Sequence, residues 1–324
     1  MKYLKITILI FITAIALGGC SSKEIKKDHD NKILFKALSD DSLLSEFSPL
    51  IYSEKADKNY NLIGTPVAEK DEDGKISISI DTEKPCFFAE KREFKTKKDN
   101  YLNLVYRVNF TKTPGGHLGK GKNVGLFFIV TLNSDKKPVL FSAVHTCGCY
   151  LSIVPTSVLP ESAYPKDWPE KIQSVHGEKL PSVLKYKEDP ENFRFLVHKK
   201  SATHRISDIK LIRKNKTDSL FKIKDSCIQS LDSLENISIN KDEKTSFFIT
   251  EKGGSKGYVK NSKKIYERIF MSWWTFDWRI GQDKKLGKDK NEGPVFYTSI
   301  KPWAKDESDM RDFKTFLEYW GWDL

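Results

Sequence analysis

The chain has 324 residues, 39% of them hydrophobic and 12% aromatic, so it can bury a real core in one large domain or two ordinary ones. Its 55 basic and 44 acidic residues leave a net charge of +11. No dense basic block with interleaved aromatics accompanies that charge, and no period of 20–50 residues runs along the chain, which excludes a nucleic-acid partner and a repeat architecture.

The chain opens MKYLKITILIFITAIALGGCSS. Lys2 and Lys5 form a short basic start, and Ile6 to Leu17 is an apolar run of 12 residues. A spanning helix needs about 20, so this is an export signal and not a fold element. Leu17-Gly18-Gly19-Cys20 resembles the lipobox of bacterial lipoproteins. The resemblance covers only the first 20 or so residues. It implies cleavage of a signal over residues 1–19, acylation of Cys20, and attachment of the mature chain to a membrane through that lipid. Ser21 follows the cysteine where an Asp would mark inner-membrane retention, so the expected address is the cell envelope outside the cytoplasm, at the outer membrane if the host has two. Removal of Lys2 and Lys5 leaves +9, suited to anionic headgroups. Residues 20–33, the lipidated cysteine and SSKEIKKDHDNKI, read as a polar tether carrying a solvated His29.

Residues 34–324 read as a single β-rich domain, with a subdivision conceivable near 214–244, where the composition turns Lys-, Ser- and Asp-rich. From residue 76 onward the dominant signal is strand: ISISI (76–80) alternates, YLNLVYRVNF (101–110) is rich in β-branched and aromatic residues, and NVGLFFIVTL (123–132) and PVLFSAVHT (138–146) are apolar on both faces. NSDKK (133–137) between the last two marks a hairpin. Six prolines between residues 155 and 190 forbid long helices and central strands there, leaving an ordered excursion pinned by Tyr164 and Trp168. FRFLVH (193–198), SDIKLIR (207–213), IFMSWWTFDWRI (269–280) and VFYTSI (295–300) read as further strands. In the third of these, Trp274, Phe276 and Trp278 fall on one face, an inner face or a sugar-stacking platform. Met310, Phe313, Leu317 and Trp320 step at helical spacing after a Ser308 cap, and Gly321 suits the end. The expected fold is mainly β with added α: an antiparallel sandwich-like body and a C-terminal helix.

The chemistry-bearing stretch is VHTCGCYL (144–151). On a regular strand His145, Cys147 and Cys149 would form a row about 6.5–7 Å apart, too long for a disulfide. Gly148 can take a positive φ and bend the chain so that the sulfurs meet. Pairing Leu132 with Val139 sets His145 opposite Leu126, Cys147 opposite Val124 and Cys149 opposite Lys122, beside the loop that carries His117. Three readings stay open. His145, Cys147, Cys149 and His117 form a metal site for Cu or Zn; or Cys147 and Cys149 form a disulfide, with each other or with Cys86 or Cys227; or they are inert core thiols. GGHLGKGK lacks the full phosphate-loop pattern. His176, His198 and His204 are weaker candidates, the last two brought side by side if KKSAT is a turn. The expected function is therefore metal binding by a lipid-anchored envelope protein, alternatively thiol–disulfide redox chemistry, alternatively docking to an envelope partner without site chemistry.

Overall fold

The computed structural model describes residues 31–40, 42–216, 221–251 and 253–324. The export signal, the lipobox with Cys20, and His29 lie outside these. In chain order the strands are β1 Lys32–Ala37, β2 Leu50–Glu54, β3 Thr65–Lys70, β4 Ile76–Asp81, β5 Cys86–Lys95, β6 Asn100–Thr113, β7 Gly121–Leu132, β8 Pro138–His145, β9 Ser152–Pro155, β10 Ile172–Val175, β11 Glu178–Pro181, β12 Phe193–Lys199, β13 Ile206–Arg213, β14 Ile223–Ser230, β15 Ile237–Ser238 and β16 Lys244–Thr245. The protein is mainly β, with a short C-terminal helix, Phe313–Tyr319.

Ten strands form one sheet in the order β13-β12-β2-β1-β14-β5-β6-β7-β8-β9. The expected antiparallel sandwich-like body is thus a mixed sheet: β12–β2, β1–β14 and β14–β5 pair in parallel. It curls into a nearly closed barrel. The hairpin β10–β11 lies across the seam, where Gln173 Nε2 donates to Ile153 O of edge strand β9 (3.0 Å) while β11 packs beside the other edge strand, β13.

This closure explains why β7 and β8 are apolar on both faces. Inward, Val124, Leu126, Phe128, Val130, Phe141 and Ala143 join residues such as Phe35, Phe87, Tyr106 and Val197 in the barrel interior. Outward, Phe127, Ile129, Leu140 and Val144 pack under the C-terminal part of the chain, including Phe247, Phe296, Met310, Phe316 and Trp322. Arg107 pins that cover. It is fully buried, donates Nη1 to Lys284 O (2.9 Å) and Nε to Asn109 Oδ1 (2.9 Å), and lies against the rings of Phe127, Phe247 and Phe248.

The β7–β8 hairpin keeps the expected register from Leu126↔His145 to Thr131↔Leu140; a bulge then pairs Leu132 with Pro138 instead of Val139. Tyr164 and Trp168 pin the proline-rich excursion by packing edge-to-face with Trp322 (5.8 and 4.8 Å between centroids). The tether is shorter than expected, because Lys32 and Ile33 already pair with Glu54 and Ser53. The stretch near 214–244 holds no boundary within the sheet: β14 is a central strand, between β1 and β5.

Two tail assignments are corrected. IFMSWWTFDWRI is not a strand; Ile265–Thr275 is an α-helix closed by Phe276 in the left-handed region (φ 47°). VFYTSI makes a single bridge, Tyr297 to Asp309. The C-terminal helix begins later than Asp309, capped by Asp312, whose Oδ1 accepts from Thr315 N (3.2 Å); Ser308 instead accepts from Thr298 N and Ser299 N.

Candidate dithiol site

β8 stops at His145, and the chain turns at once. Gly148 N donates to His145 O (2.7 Å), and His145 N donates to Cys149 O (3.0 Å). Gly148 supplies φ 90° and Tyr150 φ 56°, so Cys147 and Cys149 leave the ladder before they can face Val124 and Lys122. The bend brings the two sulfurs within reach of each other, so that each governs the other's proton. Both are free, because Cys86 and Cys227 form the disulfide (Cα–Cα 4.5 Å) across the paired strands β5 and β14. Export, as expected from the leader, suits a disulfide of this kind.

The turn is held from the C-terminal part of the chain. Thr146 Oγ1 donates to Asp283 Oδ1, and Lys284 N donates to Thr146 O (2.9 Å). Asp283 pairs with Lys264 (3.3 Å), both almost wholly buried. Lys264 opens the helix Ile265–Thr275, and Glu267 lies one turn further on, also buried. Lys284 Nζ sits over the Tyr297 ring (3.7 Å) and donates to Val295 O (3.2 Å).

These neighbours polarise the pair. Burial pushes the Cys147 thiol up, but the hydrogen bond from Cys149 and the Lys264 ammonium outweigh it and hold the thiol below its ordinary value. Cys149 moves the other way, raised by its hydrogen bond to Cys147 and then by burial. Of the two coupled sulfurs, Cys147 is therefore the one that gives up its proton more readily. Burial would discharge Lys264, yet Asp283, then the Cys147 thiolate and Glu267, hold its proton more firmly than usual. Burial raises the Glu267 carboxyl and lowers Lys284 to about 8. Burial, reinforced by Lys264, depresses His145, so its imidazole is neutral and contributes no charge to the thiols.

Cys147 is buried, whereas Cys149 is half-buried and opens onto a cleft of about 630 Å³. The walls are mostly apolar, with Ile153, Val175, Met271, Ile300, Trp320 and Trp322 among them, and His176 and Glu267 at the cysteine end. The volume suits a small apolar ligand or a protein side chain. His117 and His145 face a separate cavity of about 210 Å³, divided from the cleft by Leu118, Tyr150 and Glu267, which line both. The Tyr150 ring packs at a tilt against His145 (4.8 Å) and edge-on against His176 (5.1 Å).

The four expected ligands are thus brought to one region but not to one point: the sulfurs meet each other, while the two histidines meet a neighbouring space. Among the described residues no three His, Cys, Asp or Glu side chains are grouped to hold a metal ion. His198 and His204 are not a pair; His198 packs at a tilt against Tyr52 (4.6 Å), and His204 stacks on Phe110 (4.1 Å). Lys264, Glu267, Asp283 and Lys284, which set the protonation of the thiols, lie more than 100 residues from them in sequence, and no spacing in the chain announces them.

No protein-family model, no curated protein and no solved structure matches this chain.

Proposed function

We propose that this is a lipid-anchored protein of the cell envelope, held at the outer membrane where the host has two, that performs thiol–disulfide exchange through Cys147 and Cys149. The observation that carries the reading is geometric: two free cysteines bent together at Gly148, with the buried Lys264 beside them and one sulfur open to an apolar cleft. Exchange begins at Cys149, the accessible sulfur, after its proton passes to Cys147. The Cys149 thiolate attacks one sulfur of a partner disulfide; that S–S bond breaks, and the distal sulfur leaves as a thiolate. Cys147 then passes its proton to the partner thiolate released in the first step and attacks Cys149, forming the Cys147–Cys149 bond and releasing the second partner sulfur as a thiolate. The partner is reduced by two electrons and the protein oxidised by two.

A second reading keeps a metal. With the histidines facing elsewhere, an ion here would rest on the two sulfurs alone, a soft, low-coordinate set that suits Cu(I) better than Zn(II).

Equilibration of the full-length chain in glutathione buffers, followed by alkylation and peptide mass analysis, tests the proposal. Reversible formation of a Cys147–Cys149 disulfide while Cys86–Cys227 stays intact supports it. Thiols that remain reduced and unreactive at every potential refute it. Stoichiometric copper that protects both thiols from alkylation favours the second reading. The anchor is tested separately: fatty-acid labelling of the precursor must vanish in Cys20→Ala.

A further inference from the structure

The helix Ile265–Thr275 is amphipathic in the inverted sense. Its buried stripe is polar: Lys264 at its start, Glu267, Ser272 and Thr275 face the protein. Its opposite face carries Ile265, Ile269, Phe270 and Trp273, which are 61–70% exposed. The surface continues past the helix end through Phe276 (80% exposed) and Trp278 (70%). Trp303, 77% exposed, lies on the segment whose Lys305 Nζ reaches Phe276 O (3.4 Å). Scattered exposed apolar residues need no explanation, but this many large ones on one helix face and just past its end mark a contact surface.

We infer that this patch is a membrane-interface anchor that lies in the headgroup region of an anionic bilayer, with the helix parallel to the surface. The composition fits that occupant. Three indoles, amphipathic rings that concentrate at the lipid–water boundary, are its most prominent side chains together with Phe276. Its polar neighbours are mainly basic: Lys263, Arg268 and Lys301 are exposed and Arg279 and Lys305 half-buried, against Asp277, Asp306 and Glu307. Asp277 is occupied by the Tyr297 hydroxyl, and Arg268 lies over the Trp278 ring (5.8 Å), which keeps a cation at the edge of the aromatic surface. An 11-residue helix is about 16 Å long, too short to span a bilayer and long enough to lie in its interface. Among the described residues no helix is long and apolar enough to cross a membrane. If Cys20 is acylated, the 11 residues between it and Lys32 reach at most about 40 Å, so the domain stays within roughly its own diameter of the bilayer.

The inference goes beyond the thiol reading and does not depend on it. It also ties the two regions together, because Met271 and Glu267 of the same helix, with Ile300 and Lys301 beside Trp303, line the cleft onto which Cys149 opens. Docking in this manner sets the cleft next to the lipid surface.

The test is intrinsic fluorescence of the full-length chain reconstituted in phosphatidylglycerol–phosphatidylcholine vesicles whose acyl chains are brominated. Three of the seven tryptophans are in the patch and none lies within the first 30 residues, so insertion of a leader alone cannot produce the signal. The expected result is a loss of up to about two-fifths of the emission, weaker in pure phosphatidylcholine or at high salt. It should be largely abolished when Trp273→Gln, Trp278→Gln and Trp303→Gln are combined. Absence of quenching in the unmutated chain overturns the inference whatever the variants do. Absence of quenching together with a concentration-dependent dimer in sedimentation overturns it in favour of a second copy of the chain covering the patch.

Discussion

Gly148 and Tyr297 approach so closely that a methyl group placed on Gly148 would lie 2.1 Å from the Tyr297 carbonyl oxygen. With φ at 90°, the position is closed to other residues both by conformation and by space. Gly148→Ala must therefore push the turn away from the 297 segment or straighten it. We expect a loss of about 2–4 kcal/mol in urea unfolding, and loss of the oxidised Cys147–Cys149 form in glutathione titrations. A variant as stable as the parent, with the same thiol equilibrium, would show that the turn does not hold the sulfurs together.

The Lys264–Asp283 pair links the thiols to the C-terminal cover, since Asp283 also accepts from Thr146 next to Cys147. Lys264→Met removes the cation that, with the Cys149 hydrogen bond, lowers the Cys147 thiol, and leaves Asp283 buried with one hydroxyl partner. Loss of one member of a buried pair costs roughly 3–5 kcal/mol. The thiol should rise, so the midpoint of the rate–pH profile moves to higher pH and the alkylation rate at pH 7 falls. Lys264→Arg keeps the charge and should restore the profile even if part of the stability remains lost. An unchanged profile in Lys264→Met would remove the ammonium from the account.

How much of this was legible in the chain depends on whether a feature is local. The β7–β8 hairpin was, because its turn signal and its paired apolar runs are contiguous, and the bend at Gly148 follows from glycine itself. β14 was not: ISISI-like alternation is missing from IKDSCIQS, and its place between β1 and β5 comes from parallel partners 141 and 189 residues away. The helix at 265–275 was misread through its second half, where Trp274, Phe276 and Trp278 alternate. Its own period was present in the pairs Ile265–Tyr266, Ile269–Phe270 and Trp273–Trp274, spaced by four. The usual assumption that the apolar side faces inward would still have placed it the wrong way round. The charged residues that polarise the thiols carry no local signal at all, because a buried lysine reads like a surface one until its partners are known.

The Cys86–Cys227 bond closes a long loop, with a sequence separation of 141 residues, between strands that are already paired in parallel. By the loop-entropy account its removal costs about 5 kcal/mol, since the unfolded chain regains that freedom. The double variant Cys86→Ala, Cys227→Ala should lose most of this in equilibrium unfolding while the Cys147–Cys149 thiols retain their alkylation profile. Coupled loss of both would mean that the disulfide and the dithiol belong to one cooperative site.

Lys199, at the end of β12, offers the cleanest pH signature because it lies apart from the thiols. It is 1% exposed; its Nζ has no hydrogen-bond partner and lies over the Phe110 ring at 5.2 Å. Burial lowers it to about 7, only partly opposed by Glu54. In the unfolded chain the same amine titrates near 10.4. Between about pH 7 and pH 10.4 the unfolded chain therefore holds a proton that the folded chain has released, and stability rises with pH through that window. Below pH 7 both states are protonated and the full penalty of a buried ammonium applies. Lys199→Met removes the penalty. The variant should be more stable than the parent by on the order of 4 kcal/mol at pH 6, with the gap shrinking steadily toward pH 10. Denaturant midpoints of both proteins at pH 6, 8 and 10 measure it. A gap independent of pH would mean that the ammonium stays charged in the fold, solvated by water or held by Glu54.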